Sequence, residues 1–184
     1  FLMITVQLVR FQIVDSSAIG ARTAASPDGQ VMVDPRRAIA AADVRRGRIL
    51  SADGQVIADT EQDSGGRFLR RYPDPATAPL AGYYSPARYG ASRLEAAYDA
   101  VLSGKEGGNP FSEGLDDLLH RNREGHDLVL HVDAALQQRA VELLGDRAGA
   151  AVVMDARTGA VLAMASVPTY DPNQLSTAAT DATA

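Results

Sequence analysis

The stretch from Gly149 to Asn173, GAAVVMDARTGAVLAMASVPTYDPN, decides how this chain reads. Residues 150–155 and 160–166 are apolar on both faces. The Ala156-Arg157-Thr158-Gly159 sequence between them places glycine where a tight turn favours positive φ. A β-hairpin is expected, lying inside a sheet covered on both sides. A bare apolar face would forfeit burial worth about 25 cal/mol per Å², so the cover is expected from chain beyond Ala184. Asp171-Pro172-Asn173 then reads as a rigid turn, and from Ser176 the small, polar, patternless residues 176–184 read as a disordered tail.

Working back toward the N-terminus, residues 127–133 (DLVLHVD) alternate, with Leu128, Leu130 and Val132 on one face, which predicts a half-buried strand. Asp133 is placed to cap a helix over 134–144, in which Leu136, Ala140, Leu143 and Leu144 form one stripe and Gly145 supplies the stop. Ser92-Arg93-Leu94-Glu95 matches a capping box, with Glu95 as the capping acid. The helix it opens carries Leu94, Tyr98, Val101 and Leu102 on one face and ends at Gly104. Residues 104–114 read as a surface loop.

Further upstream, Asp53-Gly54 between two apolar runs predicts a hairpin. Residues 68–72 predict a short strand ended by Pro73 and the Pro-rich run to Pro79. Residues 16–37 show no period and read as a linker. The apolar run 1–14 carries Gln7, Arg10 and Gln12 and is shorter than the ~20 residues that span a bilayer. Two readings stay open for it: the outer end of a membrane anchor over 1–15, or an amphipathic helix using Leu2, Val6, Val9 and Ile13.

Composition narrows the function. The chain of 184 residues has net charge −5 and 5% aromatic residues, so it lacks the basic field that nucleic-acid binding requires. Residues 1–71 hold ten arginines against eight acids, a balance read as a solvated face, although it would tolerate an anionic membrane surface. Cysteine is absent, which removes disulfides, thiolate metal sites and thiol nucleophiles. His120, His126 and His131 are not at spacings that favour a shared metal and read as solvated or hydrogen-bonded. Glu113, Asp116 and Asp117 read as the solvent side of a short helix with Leu115, Leu118 and Leu119 facing inward, rather than as an acid/base pair. No cofactor is implied.

Four blocks together resemble the class B penicillin-binding proteins. Arg46-Gly47-x-Ile49 followed by Asp53-Gly54 is similar to the family's first pedestal hairpin, with Ser51 and Ala52 where the family often has an acid and an arginine. Tyr89-Gly-Ala-Ser-Arg-Leu-Glu95, running through Tyr98 and Leu102 to Gly104, resembles its glycine-led helix entry, with Arg93 in the place of the usual glycine. Leu128 to Asp133 followed by Leu136-Gln137 resembles the Leu-Thr-x-Asp-x-x-Leu-Gln signature, with His131 in the threonine position. Gly149 to Asn173 resembles the first hairpin of the transpeptidase sheet with its Tyr-Asp-Pro-Asn run. The Arg-Tyr-Gly block after Tyr83-Tyr84-Ser85 is similar to the actinobacterial penicillin-binding protein A group.

The resemblance implies an α+β fold: an elongated pedestal of the dimerisation type over 38–126, then the Leu-Gln helix and first strands of a transpeptidase domain over 127–175. Arg46, Gly47, Asp53, Gly54, Ser92, Glu95, Asp133, Gln137, Gly159, Asp171, Pro172 and Asn173 would be its structural motif residues. It implies a D,D-transpeptidase that cross-links peptidoglycan on the extracytoplasmic side of a bacterial membrane. Implied partners are the protein's own C-terminal transpeptidase domain, the membrane through an N-terminal anchor, and cell-wall synthesis proteins such as a polytopic glycosyltransferase.

The family's chemistry needs a serine with a lysine one helical turn away. Lys105 is the only lysine, and three residues before it stands Leu102. Arg157-Thr158-Gly159 imitates the family's Lys-Thr-Gly but falls in a hairpin turn, so this stretch of chain is expected to be non-catalytic. The alternative is a stand-alone extracytoplasmic scaffold or binding module.

Overall fold

A computed structural model describes residues 24–25, 31–32, 43–86, 88–105 and 124–177. The run 1–14, the loop beyond Lys105, the short acidic helix and His120 lie outside the described residues. Within the stretch read as a linker, Ala24–Ala25 (β1) and Val31–Met32 (β2) pair antiparallel.

Ile49–Leu50 (β3) and Val56–Gln62 (β4) form the expected hairpin, with Ile49 opposite Ala58 and Leu50 opposite Val56. Its connection is wider than a two-residue turn. Ser51 N–H donates to Gln55 O and Gly54 N–H to Ser51 O, with Gly54 at φ 82. β4 also pairs with Phe68–Arg71 (β5), across a turn organised by the Asp63 carboxylate, which accepts from the amides of Gly65 and Arg67. The Pro-rich run is helical: Asp74 accepts from Ala76 N–H to cap a 3₁₀ turn at Pro75–Thr77, and Ala78–Ala81 (α1) follows.

Tyr84–Ser85 (β6) and Gly90–Ala91 (β7) make a small hairpin. The expected helix then splits into Arg93–Ala97 (α2) and Asp99–Leu102 (α3), because Tyr98 leaves helical geometry at φ −111, ψ 27. Tyr98 is therefore exposed, while Leu94 and Leu102 stay in the core, which corrects the single stripe expected there.

Leu128–Val129 (β8) returns to pair parallel with β3, giving the order β5-β4-β3-β8. Alternation holds, since Leu128, Leu130 and Val132 pack inward and Val129 is 65% exposed. Asp133 caps Ala134–Leu144 (α4), accepting from Leu136 N–H at 2.8 Å. The buried sector of α4 takes Leu136, Ala140, Val141 and Leu144 with Gln137, so Leu143 falls past its edge into solvent, contrary to the expected stripe.

Gly149–Met154 (β9) and Val161–Val167 (β10) form the predicted antiparallel hairpin, with Gly159 at φ 76 in its turn. β10 is covered on both faces: Ala163 and Ala165 lie against α4, their small side chains admitting the helix closely, while Met164 packs on the pedestal core. β9 is covered on one face only among the described residues, with Val152 and Met154 about half exposed.

The stretch expected to be a rigid turn and the start of a disordered tail is instead Pro172–Thr177 (α5), with Ser176 buried. Local chemistry explains the difference. Proline at the first helical position loses no needed hydrogen bond, and the Asp171 carboxylate accepts from Asn173 N–H at 2.9 Å as a cap.

Gly47 has a further role. Three backbone segments cross at one point, where Gly47 N–H donates to Leu102 O, Gly125 N–H to Arg45 O and His126 N–H to Val101 O. A Cβ on Gly47 would meet the backbone of His126, and one on Gly125 the backbone of Leu102. Gly47→Ala or Gly125→Ala should therefore lower stability by about 3 kcal/mol, the upper end of overpacking costs, since backbone cannot swing aside. Urea denaturation measures this, and a loss within experimental error would contradict the crossing.

Candidate functional site

Two arrangements of polar side chains organise the molecule. The first is a buried ion cluster in the pedestal. The Glu95 carboxylate has no solvent exposure; its Oε2 accepts from Arg46 Nε at 2.9 Å and its Oε1 from Arg70 Nε at 2.7 Å. Tyr72 Oη donates to the same Oε1 at 3.2 Å. Arg46 Nη2 donates to Glu95 O, and Nη1 to Asp99 Oδ1 at 2.6 Å. Arg70 Nη1 donates to Gly47 O and Thr60 Oγ1, and Thr60 Oγ1 in turn donates to Arg46 O. The Tyr84 ring lies 3.9 Å below the Arg46 guanidinium, a cation–π contact.

Two guanidiniums thus face two carboxylates, which satisfies the requirement that buried charge be paired. Burial opposes the Arg46 charge, but Glu95, followed by Tyr84 and last by Asp99, outweighs it and holds its pKa above the ordinary arginine value. Burial first, then the Glu95 charge, pushes the Tyr72 phenol up, so the hydroxyl remains a donor.

The second arrangement is a seam where carboxamides meet backbone. Gln137 Nε2 donates to Met164 O at 2.8 Å and to Ala76 O at 3.2 Å, and its Oε1 accepts from Met164 N–H at 2.8 Å. Beside it, Asp133 N–H donates to Leu162 O, so the free edge of β10 is paired by the start of α4. Asn173 treats Tyr72 similarly, accepting from its N–H and donating to its carbonyl, both at 2.9 Å. A crevice of about 40 Å³ between Gln55, Ile57, Thr77, Val132 and Gln137 lies along this seam, room for a water molecule or two.

The structure brings Arg46, Gly47 and Glu95 into the cluster, and Asp133, Gln137, Asp171 and Asn173 into the seam. Asp53 and Gly54 occupy the first hairpin turn, where the Ser51 hydroxyl, helped by backbone amides including that of Ala134, holds the Asp53 carboxyl below its ordinary range. Gly159 sits in an exposed turn with Arg157 and Thr158, whose amides donate to Asp155 Oδ1. His126 and His131 are exposed, and no group of three metal-ligating side chains occurs among the described residues.

The capping-box reading of Ser92 and Glu95 is corrected. Ser92 makes no side-chain cap, and its Oγ instead accepts from Tyr83 N–H at 3.1 Å. Glu95 is drawn inward by two arginines, a stronger interaction than one exposed amide offers. Sequence reasoning also missed Arg70, Tyr72, Thr60 and Asp99. The available signal was Arg70 alternating with Tyr72 on a strand whose inward face they share.

A fold of this kind, a mixed sheet clamped onto a helix-backed hairpin, matches two family descriptions. Residues 46–128 match the penicillin binding protein A dimerisation domain, and residues 149–184 match the penicillin binding protein transpeptidase domain. The chain belongs to the class B penicillin-binding proteins, of which it contains the dimerisation-type pedestal and the opening of the transpeptidase domain.

Among its relatives is the peptidoglycan D,D-transpeptidase PbpA of Mycolicibacterium smegmatis, 38% identical over 141 residues, covering 72% of this chain and 28% of the relative. The Mycobacterium tuberculosis PbpA is 36% identical over 139 residues, covering 71% of this chain and 28% of the relative. Penicillin-binding protein A from M. tuberculosis, solved as an imipenem acyl-enzyme, superposes with a TM-score of 0.64 at 32% identity, covering 74% of this chain and 33% of that one. The chain thus spans under a third of the length of these PbpA relatives.

Two outcomes follow for stability. Glu95→Gln preserves shape but leaves two buried guanidiniums short of charge, and should cost about 3–5 kcal/mol. A urea midpoint close to the parent's would show that the cluster is not paired as described. Arg93, in the family's glycine position, has φ 54, and a left-handed conformation costs a side chain about 1–2 kcal/mol. Arg93→Gly should raise stability by about 1 kcal/mol, and a lowered thermal midpoint would contradict the strain.

Proposed function

We propose that this chain is the non-catalytic, membrane-proximal part of a peptidoglycan D,D-transpeptidase, and that its work is to carry and orient the catalytic domain. The observation that supports this is the seam: Gln137 and Asn173, on the transpeptidase side, bond pedestal backbone at Ala76 and Tyr72. A platform joined this way transmits position without chemistry.

The pedestal would stand on the extracytoplasmic side of the membrane and present its outer surface to other cell-wall synthesis proteins, such as a polytopic glycosyltransferase. No helix among the described residues is long and apolar enough to cross a membrane, so the anchor belongs to this reading through the resemblance alone. The half-exposed Val152 and Met154 fit a sheet that continues with further strands, because such a face gains by being covered.

The test combines intact mass with a fluorescent penicillin on the product of the native gene. A longer, covalently labelled protein is expected, and the 184-residue chain alone should take no label, since it has no Ser-x-x-Lys pair. A native product ending near Ala184 and never labelled would favour a stand-alone scaffold; an adduct on the 184-residue chain would overturn the non-catalytic assignment.

A further inference from the structure

Two tyrosines each touch both arrangements. Tyr72 is almost fully buried; its hydroxyl bonds Glu95, while its own amide and carbonyl are held by the Asn173 carboxamide. The β4–β5 ladder stops one residue earlier, at Asp59 opposite Arg71, so Asn173 takes the place of a strand neighbour. Tyr84 repeats the pattern. Its ring stacks under the Arg46 guanidinium, and its carbonyl accepts from Ser176 Oγ at 3.2 Å, a hydroxyl proton shared with Pro172 O. In both residues the side chain reads the ion cluster and the backbone holds α5.

The carboxamide on α5 has a fixed orientation. Asp171 Oδ1 accepts from Asn173 Nδ2 at 2.8 Å as well as from the Asn173 amide. An ionised carboxylate only accepts, so Nδ2 must face it and Oδ1 is left to receive Tyr72 N–H. A reversed amide would set oxygen against oxygen at Asp171 and at the Tyr72 carbonyl.

We propose that Tyr72 and Tyr84 form a latch that docks α5 on the pedestal only while the Arg46–Glu95–Arg70 cluster is assembled, so that cluster and helix loosen together. This goes beyond the platform reading and does not depend on it, because the coupling is defined within the described residues and needs no transpeptidase activity to be observed. Coupling between two sites is reciprocal, so a disturbance introduced at either end must appear at the other.

The test uses this chain and two variants that each act at one end. Tyr72→Phe deletes only the hydroxyl bonded to Glu95 and leaves the backbone bonds to Asn173 possible. Amide hydrogen exchange across α5 should then accelerate about tenfold, with the β9–β10 amides unchanged. Asn173→Asp keeps the side-chain shape but sets a carboxylate against Asp171 and the Tyr72 carbonyl. The Arg46 and Arg70 Nε protons, which bond Glu95, should exchange faster in it when followed by NMR. Ala140→Gly, in the other core, serves as a control for general destabilisation and should leave α5 and both Nε protons at their parent rates relative to the hairpin. The latch is overturned if Tyr72→Phe leaves α5 unchanged, if Asn173→Asp leaves the arginine protons unchanged, or if either variant only raises exchange everywhere as the control does. Penicillin labelling plays no part in these readouts, so a failed platform reading and a failed latch are told apart.

Discussion

The Glu95 carboxylate, held between Arg46 and Arg70 with no access to water, is the interaction on which the rest of the structure depends. Its partners come from different segments: Arg46 lies three residues before β3 and Arg70 lies on β5, while Glu95 itself is on α2. One charge therefore fixes the spacing of three segments far apart in sequence. Removing two cations and an anion from water is costly, and attraction between them repays that cost only with close geometry and further hydrogen bonds. Most of those bonds are present, through Gly47 O, Thr60, the Glu95 carbonyl and Asp99. The cluster is better understood as fixing which arrangement forms than as adding net stability, since an apolar set of equal volume would pack without stating where each strand must stop.

The seam solves a different problem with related chemistry. Strand edges at Met164 and Tyr72 each present one donor and one acceptor, and a primary amide carries both in one plane. Gln137 and Asn173 therefore complete two edges without a further strand. A carboxylate could satisfy only the N–H groups and would repel the carbonyls. Because Gln137 also reaches Ala76 O, one side chain binds the hairpin, the long helix and the Pro-rich turn of the pedestal.

Local rules carried most of the secondary structure. The hairpins around Gly54 and Gly159, the Asp133 cap and the alternation of residues 127–133 were legible because each is decided by a few neighbouring residues. Where the sequence misled, a distant partner had outbid a local one. Glu95 stands where a capping acid should stand, yet arginines 49 and 25 residues away claim it. The expected stripe on α4 included Leu143, which the structure leaves in solvent, because the buried sector is centred on Gln137 and Ala140, with Gln137 turned inward for its bonds to Met164. α5 was missed for another reason: its six residues are too few to show a period, and its order comes from the Asp171 cap and from contacts with Tyr72 and Tyr84. The candidate site was legible only as a set of motif positions, since nothing in local spacing says that Arg46 meets Glu95 or that Asn173 meets Tyr72.

The parallel pairing of β3 with β8 has a consequence for how the molecule is made. Arg48 and Asp127, which bond where these strands begin, are 79 residues apart, and Tyr72 waits 101 residues for Asn173. At about 5–20 residues per second, β3 and β4 would emerge from the ribosome several seconds before their neighbour β8 exists. During that interval the inner edge of β3 is an unpaired strand, open to any extended chain nearby. Contacts so distant in sequence slow folding through the entropy of closing long loops. The pedestal is thus a structure whose first strands are made early and completed late, and the interval between is when the growing chain is most exposed to mispairing.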